Sequence, residues 1–478
     1  MTTSRLSIGT LGRRPRGGRF TSPDRIDTIL LPIGLAFLAL FVGVLAGISP
    51  KLAIAAGFGV GFAALVIADV TVGLCLFVVV SFLEVLSQIG SFGITKVIGF
   101  LLALSWLAYV STRSSAGEQD FVTSHPTVTY LIIIFVAWSG ISLLWAEFPG
   151  ASLQSTFRYA QNALLFLIVF TAVRERKHAV WVMGAFVAGA TISAFFAIMN
   201  PVDPGQYDVA RASGTIGDPN ELAAVLVVGM ILGGVLFAIM RRSPLVRLAL
   251  LGAIVMCAGG LFVSLSRGGL LALGFSMLAA LFLAGRYRAL AWVGATLAVL
   301  ATVGYFALLA PPQARDRVTK ADGGTGRTDI WHVGWRMVEA HPVRGVGSGN
   351  FPQASIHYFL APGALVYGQY FIDHPKVAHN MYLHVLAELG IVGLTLFLSL
   401  IGFSAIATIK AAERFQRAGD RDMELLARGL VVALLGLLAA DFFLSGQFSK
   451  QLWILLGLGP ALLALSKRRA KKSALGGF

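Results

Sequence analysis

The sequence predicts an all-α fold, a polytopic integral membrane helical bundle of about 12–14 transmembrane helices with one long extracytoplasmic loop that contains short helices. Three observations predict it. Hydrophobic residues make up 56% of the chain and charged residues only 13%, far less charge than a soluble chain of this length carries. Apolar runs recur from residue 29 to residue 466, each of about 17–22 residues and so able to cross a ~30 Å hydrocarbon core as a helix. No alternation of the closed-barrel kind accompanies them, so the spans must satisfy their own backbone groups as helices.

Residues 1–27 form a basic tail, Arg/Gly-rich at its start and expected to be disordered. No small-residue cleavage site follows the first apolar run, which therefore reads as a first span and not as a removed signal peptide. The block 28–310 holds spans at 29–47, 52–68, 70–88, 94–110, 127–145, 158–173, 179–199, 219–240, 246–264, 268–285 and 289–310. The second and third are split only by Asp69 and also read as one broken helix. A long polar segment, 311–381, comes next. Spans at 382–408, 426–444 and 450–466 complete the block 382–466, and a basic tail, 467–478, ends the chain. Cys75 and Cys257 lie inside apolar runs and read as small core residues.

The basic residues orient the bundle. With Arg5, Arg13, Arg14, Arg16, Arg19 and Arg25 in the cytoplasm, alternation gives the same side Arg174-Glu175-Arg176-Lys177, Arg241-Arg242, Arg286, Arg288, Lys410 to Arg421 and Lys467 to Lys472. This is the positive-inside bias of short loops. The net charge of +15 then reflects topology and anionic inner-leaflet lipid, with no nucleic-acid partner. Both termini are expected in the cytoplasm. The outer face receives Asn200–Asp218, the Ser264-Leu265-Ser266-Arg267 turn and the 311–381 loop.

Chemistry collects on that outer face. Asp218, Pro219 and Glu221 read as the cap, first residue and capping-box partner of a helix, with Asn220 between them. Arg211 lies before this helix N-terminus, an arrangement suited to an anion. Arg267 either snorkels to outer head groups or serves the same anion. Arg327 follows a glycine-rich approach, Gly323-Gly324-Thr325-Gly326. That approach lacks the Walker Lys-Ser/Thr pair, so it does not read as an ATP site. Thr328 to Ala340 reads as an amphipathic helix ended by His341-Pro342. Ile330, Gly334, Met337, Val338 and the tryptophans oppose a polar stripe of Asp329, His332, Arg336 and Glu339. Gly345 to Phe351 reads as a turn-rich connector.

His379 stands out, because it places a titratable imidazole where the polar segment re-enters the membrane. It serves as a general base, as a hydrogen-bond donor to an anion, or as a satisfied helix-start residue. Asn380 orients it or begins the helix, Tyr382 shares its face, and a buried Glu388 needs a partner. His332, His341, His357, His374 and His379 fall in or beside the loop, yet no HxxxH pair with a third ligand stands out, and no metal is expected.

Four segments together resemble the O-antigen ligase and polymerase family of polytopic membrane glycosyltransferases. They are Arg211-x-x-Gly214 with Asp218-Pro219-Asn220; Ser266-Arg267-Gly268-Gly269; Gly326-Arg327-x-Asp329-Ile330-Trp331 through His341-Pro342 to Asn350-Phe351; and His379-Asn380-x-Tyr382-Leu383 through Glu388-Leu389-Gly390. Residues 311–390 with 211–267 thus form the family-like region. The resemblance implies a glycan donor carried on a polyprenyl diphosphate at the outer face of the bacterial inner membrane. It implies transfer to a sugar hydroxyl with inversion, and no cofactor or obligatory metal. Arg211 and Arg267, with Arg327 as third, would neutralise the leaving diphosphate. His379 would deprotonate the acceptor or hydrogen-bond the diphosphate. Asn380, Asn220, Tyr382 and Glu339 would line the substrate site, Glu339 as a weaker base candidate. Expected partners are the lipid-linked donor, a glycan or lipid acceptor, membrane lipids, chain-length regulators and export proteins.

Within the resemblance, a polymerase of lipid-linked repeat units making surface polysaccharide or exopolysaccharide is preferred on span number. An O-antigen ligase acting on lipid A–core is the alternative. A lipid-linked glycan flippase is a third reading, disfavoured because ionisable residues gather at one face instead of the midplane.

Overall fold

The computed structural model describes residues 43–44, 47, 64–66, 68–85, 88–89, 92–113, 121–200, 211–319, 327–359 and 376–475. The chain divides into two units, Met1–Ala64 and Leu65–Phe478, and the helices that build the site belong to the second. The N-terminal tail, nearly all of the spans expected at 29–47 and 52–68, the glycine-rich approach to Arg327, and His374 lie outside the described residues.

The longer helices are α1 Val70–Val80, α2 Ile94–Arg113, α3 Pro126–Ile141, α4 Pro149–Ala172, α5 Arg176–Met199, α6 Pro219–Ile239, α7 Pro244–Val263, α8 Arg267–Leu283, α9 Arg288–Gly304, α10 Arg327–Ala340, α11 Phe351–Phe359, α12 Met381–Arg417, α13 Arg421–Ala440 and α14 Lys450–Leu475. A two-residue antiparallel pair, Gln88–Ile89 with Phe92–Gly93, is the one sheet element among the described residues. Seven described helical segments, including α5, α6, α7, α12 and α13, are long and apolar enough to cross a membrane. The protein is an all-α polytopic membrane bundle.

Small residues let these helices approach closely, as packing between membrane helices requires. Gly229 of α6 faces Ala190 of α5 and Cys257 of α7, Gly260 of α7 faces Ala194, and Gly459 of α14 faces the Ser404 carbonyl of α12. At one end of the bundle, the wholly buried Glu424 accepts from Arg286 and from Arg428 Nε at 2.9 Å. Arg428 also reaches the Leu283 carbonyl and Gln416. These bonds tie the α8–α9 turn to the start of α13. The candidate site occupies the opposite end.

Three elements depart from their expected bounds. The span expected at 70–88 is an 11-residue helix whose N-cap, Asp69, accepts from Thr71 and Val72. Its length of about 16 Å is half a crossing, and residues 64–66 and 68 just before the cap are helical, as a broken helix predicts. The span expected at 158–173 begins earlier, at Pro149. Hydropathy hides its first half because the polar side chains there bond to protein. Ser152 Oγ accepts from Asn350 at 2.8 Å, and Thr156 Oγ1 shares a 2.9 Å hydrogen bond with Ser139 Oγ.

The third departure shapes the site. Gly390 breaks α12 with φ 65° and ψ −171°. The carbonyls freed there are taken up by other segments. Ala387 and Glu388 accept from Val346 and Gly347 at 3.0 and 2.9 Å, and Leu389 accepts from Trp138 Nε1 at 2.9 Å. Ile391 N donates to the Pro342 carbonyl at 2.9 Å. The helix expected from 382 begins at Met381 and is broken within. Met381–Leu389 pairs with the loop, and Ile391–Arg417 continues for about 40 Å. Glu388 lies beside the loop, where its carbonyl accepts from Gly347 N and its side chain from Phe351 N.

Candidate active site

The site assembles around two short turns. Asp218 N-caps α6 by accepting from Asn220 N at 2.7 Å and Glu221 N at 2.9 Å. That cap presents the Asn220 side chain, whose Oδ1 accepts from Arg211 Nη2 at 2.9 Å and from Ser266 Oγ at 2.9 Å. Arg211 is buried, and its Nε donates to the Ser264 carbonyl at 3.0 Å. Ser266 in turn caps α8, accepting from Gly269 N at 3.2 Å, and Arg267 is the first residue of that helix. Residues 211–220 and 264–267, far apart in sequence, are one hydrogen-bonded unit.

The loop helix α10 brings the third arginine to this unit. Arg327 opens α10 and lies in the field of Asp218, Arg267 and Arg317. Burial, reinforced by Arg267 and Arg317, lowers its pKa against the opposing pull of Asp218. Arg267, Arg317 and Arg327 thus share one corner of the molecule with Asp218, a gathering of guanidinium groups suited to an anion. Trp331, one turn on, donates Nε1 to the Ala378 carbonyl at 3.1 Å and stacks edge-on against Phe442. It also lies against Phe443, which packs on Gly268. These contacts fix α10 against both the Arg267 turn and the start of α12.

His379 sits at that start. Asn380 is the N-cap, its Oδ1 accepting from Leu383 N at 3.0 Å. His379 precedes it with φ 47°, in the left-handed region that a non-glycine residue seldom adopts. Leu265, just before the Ser266 cap, has φ 49°, and these two are the positive-φ non-glycine residues among those described. Backbone strain of this kind is held where the surroundings over-determine it, here at the turns that present Arg267 and His379. Burial pushes the His379 pKa down to about 4, with Arg327, His384 and Lys376 adding to the effect and Asp218 opposing it. The imidazole is neutral at neutral pH.

The structure brings Arg211, Asn220, Arg267, Arg327 and His379 together, with Asn380 as the cap behind His379. It does not bring Glu339, which is exposed in the last turn of α10, about 18 Å along the helix from Arg327. The Tyr382 hydroxyl is engaged elsewhere, donating to the Leu438 carbonyl at 2.8 Å. On α10 itself, Asp329 is buried although it was expected on the polar stripe, and Trp335 is 53% exposed although it was expected on the apolar face. Helical register explains both, because Ile330, Val333, Gly334, Met337 and Val338 already fill the face against α11 and α12.

His384 was not among the residues expected from sequence. It is buried, its Nε2 lies 3.0 Å from Glu388 Oε1, and its Nδ1 lies 3.0 Å from Ser445 Oγ. Glu388 Oε1 also accepts from Phe351 N at 3.1 Å, holding the start of α11. The spacing of four between His384 and Glu388 was a readable signal for a pair on one helix face. Among the described residues, no three His, Cys, Asp or Glu side chains gather as a metal-binding set.

Residues 252–398 match the family described as O-Antigen ligase. The match takes in Arg267, Arg327, His379 and Asn380, while Arg211 and Asn220 lie outside it and are hydrogen-bonded into it. A search of curated proteins finds no match.

Proposed function

We propose that this chain, a multi-pass bacterial membrane protein of the O-antigen ligase family, transfers a glycan from a polyprenyl diphosphate carrier to an acceptor hydroxyl. The observation that carries this reading is the convergence of Arg211, Arg267, Arg327 and His379 at one end of the bundle, on turns strained into place. A diphosphate leaving group develops negative charge as the glycosidic bond breaks. Fixed, preorganised guanidinium groups stabilise that charge without reorganising. A single direct displacement by the acceptor oxygen inverts the anomeric carbon, and arginines supply the positive charge that a divalent ion would otherwise provide.

His379 fits the role of hydrogen-bond donor to the diphosphate better than that of base. A group whose pKa is about 4 accepts a proton weakly at neutral pH, where a general base works best with a pKa near the operating pH. As a neutral imidazole it still donates one N–H. The loop helices α10 and α11 would cover the donor and leave the acceptor an entry.

The matching family is described as O-Antigen ligase, which suits the ligase alternative with lipid A–core as acceptor better than the polymerase preferred on span number. Deleting the gene and analysing the host's glycans tests the reading. Free long lipid-linked chains that fail to reach lipid A–core indicate a ligase, and accumulation of single lipid-linked repeats indicates a polymerase. Unchanged surface glycans and unchanged lipid-linked pools would remove both.

A further inference from the structure

We infer that Ser445, His384 and Glu388 form a proton relay that activates the acceptor hydroxyl, with Ser445 as the catalytic residue at its mouth; this rests on the glycosyl-transfer reading above. The hydrogen-bond polarity of the three residues follows from taking Glu388 as a carboxylate. A carboxylate only accepts, so His384 Nε2 carries the hydrogen and donates to Glu388 Oε1 at 3.0 Å. Nδ1 then has a lone pair and accepts the Ser445 O–H at 3.0 Å. The Ser445 oxygen keeps its own lone pairs for an incoming hydroxyl. The second Glu388 oxygen, Oε2, is buried and has no hydrogen-bond partner. A carboxylate so placed stabilises the imidazolium that forms when a proton arrives, as the acid of a Ser-His-acid set does.

The relay reaches the site. Ser445 is partly exposed, whereas His384 and Glu388 are buried at 3% and 0% exposure. It lies in the α13–α14 connector, between Phe443, which packs on Gly268 and Trp331, and Phe448, which lies under the Arg158 guanidinium at 4.1 Å. The same connector therefore borders the Arg267 turn and the helix of Arg327. His384 also lies in the field of His379. In the transfer step the acceptor oxygen bonds to the anomeric carbon as the carbon–oxygen bond to the diphosphate breaks. The acceptor proton passes to Ser445 Oγ, the Ser445 proton passes to His384 Nδ1, and the bonding pair leaves with the diphosphate.

The test uses the purified full chain in detergent with a polyprenyl-diphosphate-linked repeat unit extracted from the producing strain as donor and lipid A–core as acceptor. Ser445→Ala should lower kcat on the order of 10²-fold while the donor KM and the melting temperature stay at wild-type values. Ser445→Thr, which keeps the hydroxyl, should recover most of the loss. The double variant Ser445→Ala/His384→Gln should be no slower than the worse single variant, because residues acting as one unit are not additive. Wild-type transfer by Ser445→Ala, or additive losses in the double variant, would overturn the relay and leave the arginine site standing. A wild-type protein that does not consume this donor would overturn the glycosyl-transfer reading and the relay with it.

Discussion

Arg211 and Asn220 are joined by a 2.9 Å hydrogen bond from the guanidinium Nη2 to the amide Oδ1. That one amide oxygen also accepts from Ser266, so it locks the approach to α6 to the cap of α8. The guanidinium plane of Arg211 is thereby oriented by protein before any ligand arrives. Preorganised donors of this kind stabilise developing charge without reorganising during reaction.

Lysine should therefore replace Arg211 poorly despite equal charge, because it cannot reach Ser264 and Asn220 in a fixed fork. We expect Arg211→Lys to reduce glycan transfer by about 10–100-fold, the equivalent of losing one or two hydrogen bonds to a charged group. Asn220→Ala should weaken transfer in the same direction. The measurement is product yield in strains with equal protein levels. Full activity in Arg211→Lys would show that only charge matters at this position.

His379 carries a pH signature. Its pKa of about 4 lies below the 6.5 of the unperturbed group, so between these values the unfolded chain binds a proton that the folded chain refuses. Stability associated with His379 is therefore complete above pH 6.5 and falls as the pH drops towards about 4. His379→Gln should lessen that fall, as thermal unfolding across pH 4–7 would show. In the free enzyme, the pH profile of kcat/KM should lack a His379 limb near 6.5. A limb there that vanishes in His379→Gln would restore the general-base role.

Much of the candidate site was legible because its residues are ionisable in a largely apolar sequence. Arg211 and Arg327 stand in the polar outer segments, Arg267 and His379 stand at the edges of apolar runs, and Asp218 announces the helix that Asn220 belongs to. Ser445 gave no such sign, since a lone serine in a short connector is indistinguishable from a turn residue. The Gly390 break was hidden because apolar residues continue on both sides of it. Only the loop residues that approach it reveal why glycine is required. Glu339 looked functional by type, but helix length carries it away from the arginines.

The network at the far end of the bundle should matter for stability and not for chemistry. Glu424 is wholly buried between Arg286 and Arg428. Glu424→Gln removes the charge that both arginines face, and we expect a loss of about 2 kcal/mol. A detergent-solubilised variant should melt lower while retaining its wild-type kcat near room temperature. An unchanged melting temperature would mean that solvent already compensates the two guanidinium groups.

Topology is testable with single cysteines in a Cys75→Ser background, since Cys257 is buried. Glu339 and Lys177 are both exposed, on helices at opposite ends of the bundle. Positive-inside orientation expects Glu339→Cys to react with an impermeant maleimide in intact spheroplasts, and Lys177→Cys to react only after permeabilisation. The reverse pattern would put the arginine site in the cytoplasm and remove its access to an outer-leaflet donor.

Gly390 gives the sharpest structural prediction, because two independent constraints meet there. Its φ of 65° with ψ of −171° belongs to a region that essentially only glycine enters. A Cβ would also stand 2.0 Å from the Val343 carbonyl oxygen and 2.6 Å from Arg344 N. Gly390→Ala must therefore push residues 342–347 off α12 and free the carbonyls of Ala387 and Glu388. The cost should be about 3 kcal/mol or more, seen as a lower melting temperature. Gly402 lies further along the same helix, with nothing within 4 Å of an added Cβ. Gly402→Ala should be neutral or stabilising by up to about 1 kcal/mol. Activity should separate the two variants more than stability does. The segment that Gly390 holds runs directly from α10, and its displacement would move Arg327 away from Arg267 and His379. Transfer should then fail at temperatures where Gly390→Ala is still folded. If Gly390→Ala melts and turns over like Gly402→Ala, the loop is not held to α12 by this contact, and the position of Arg327 needs another cause.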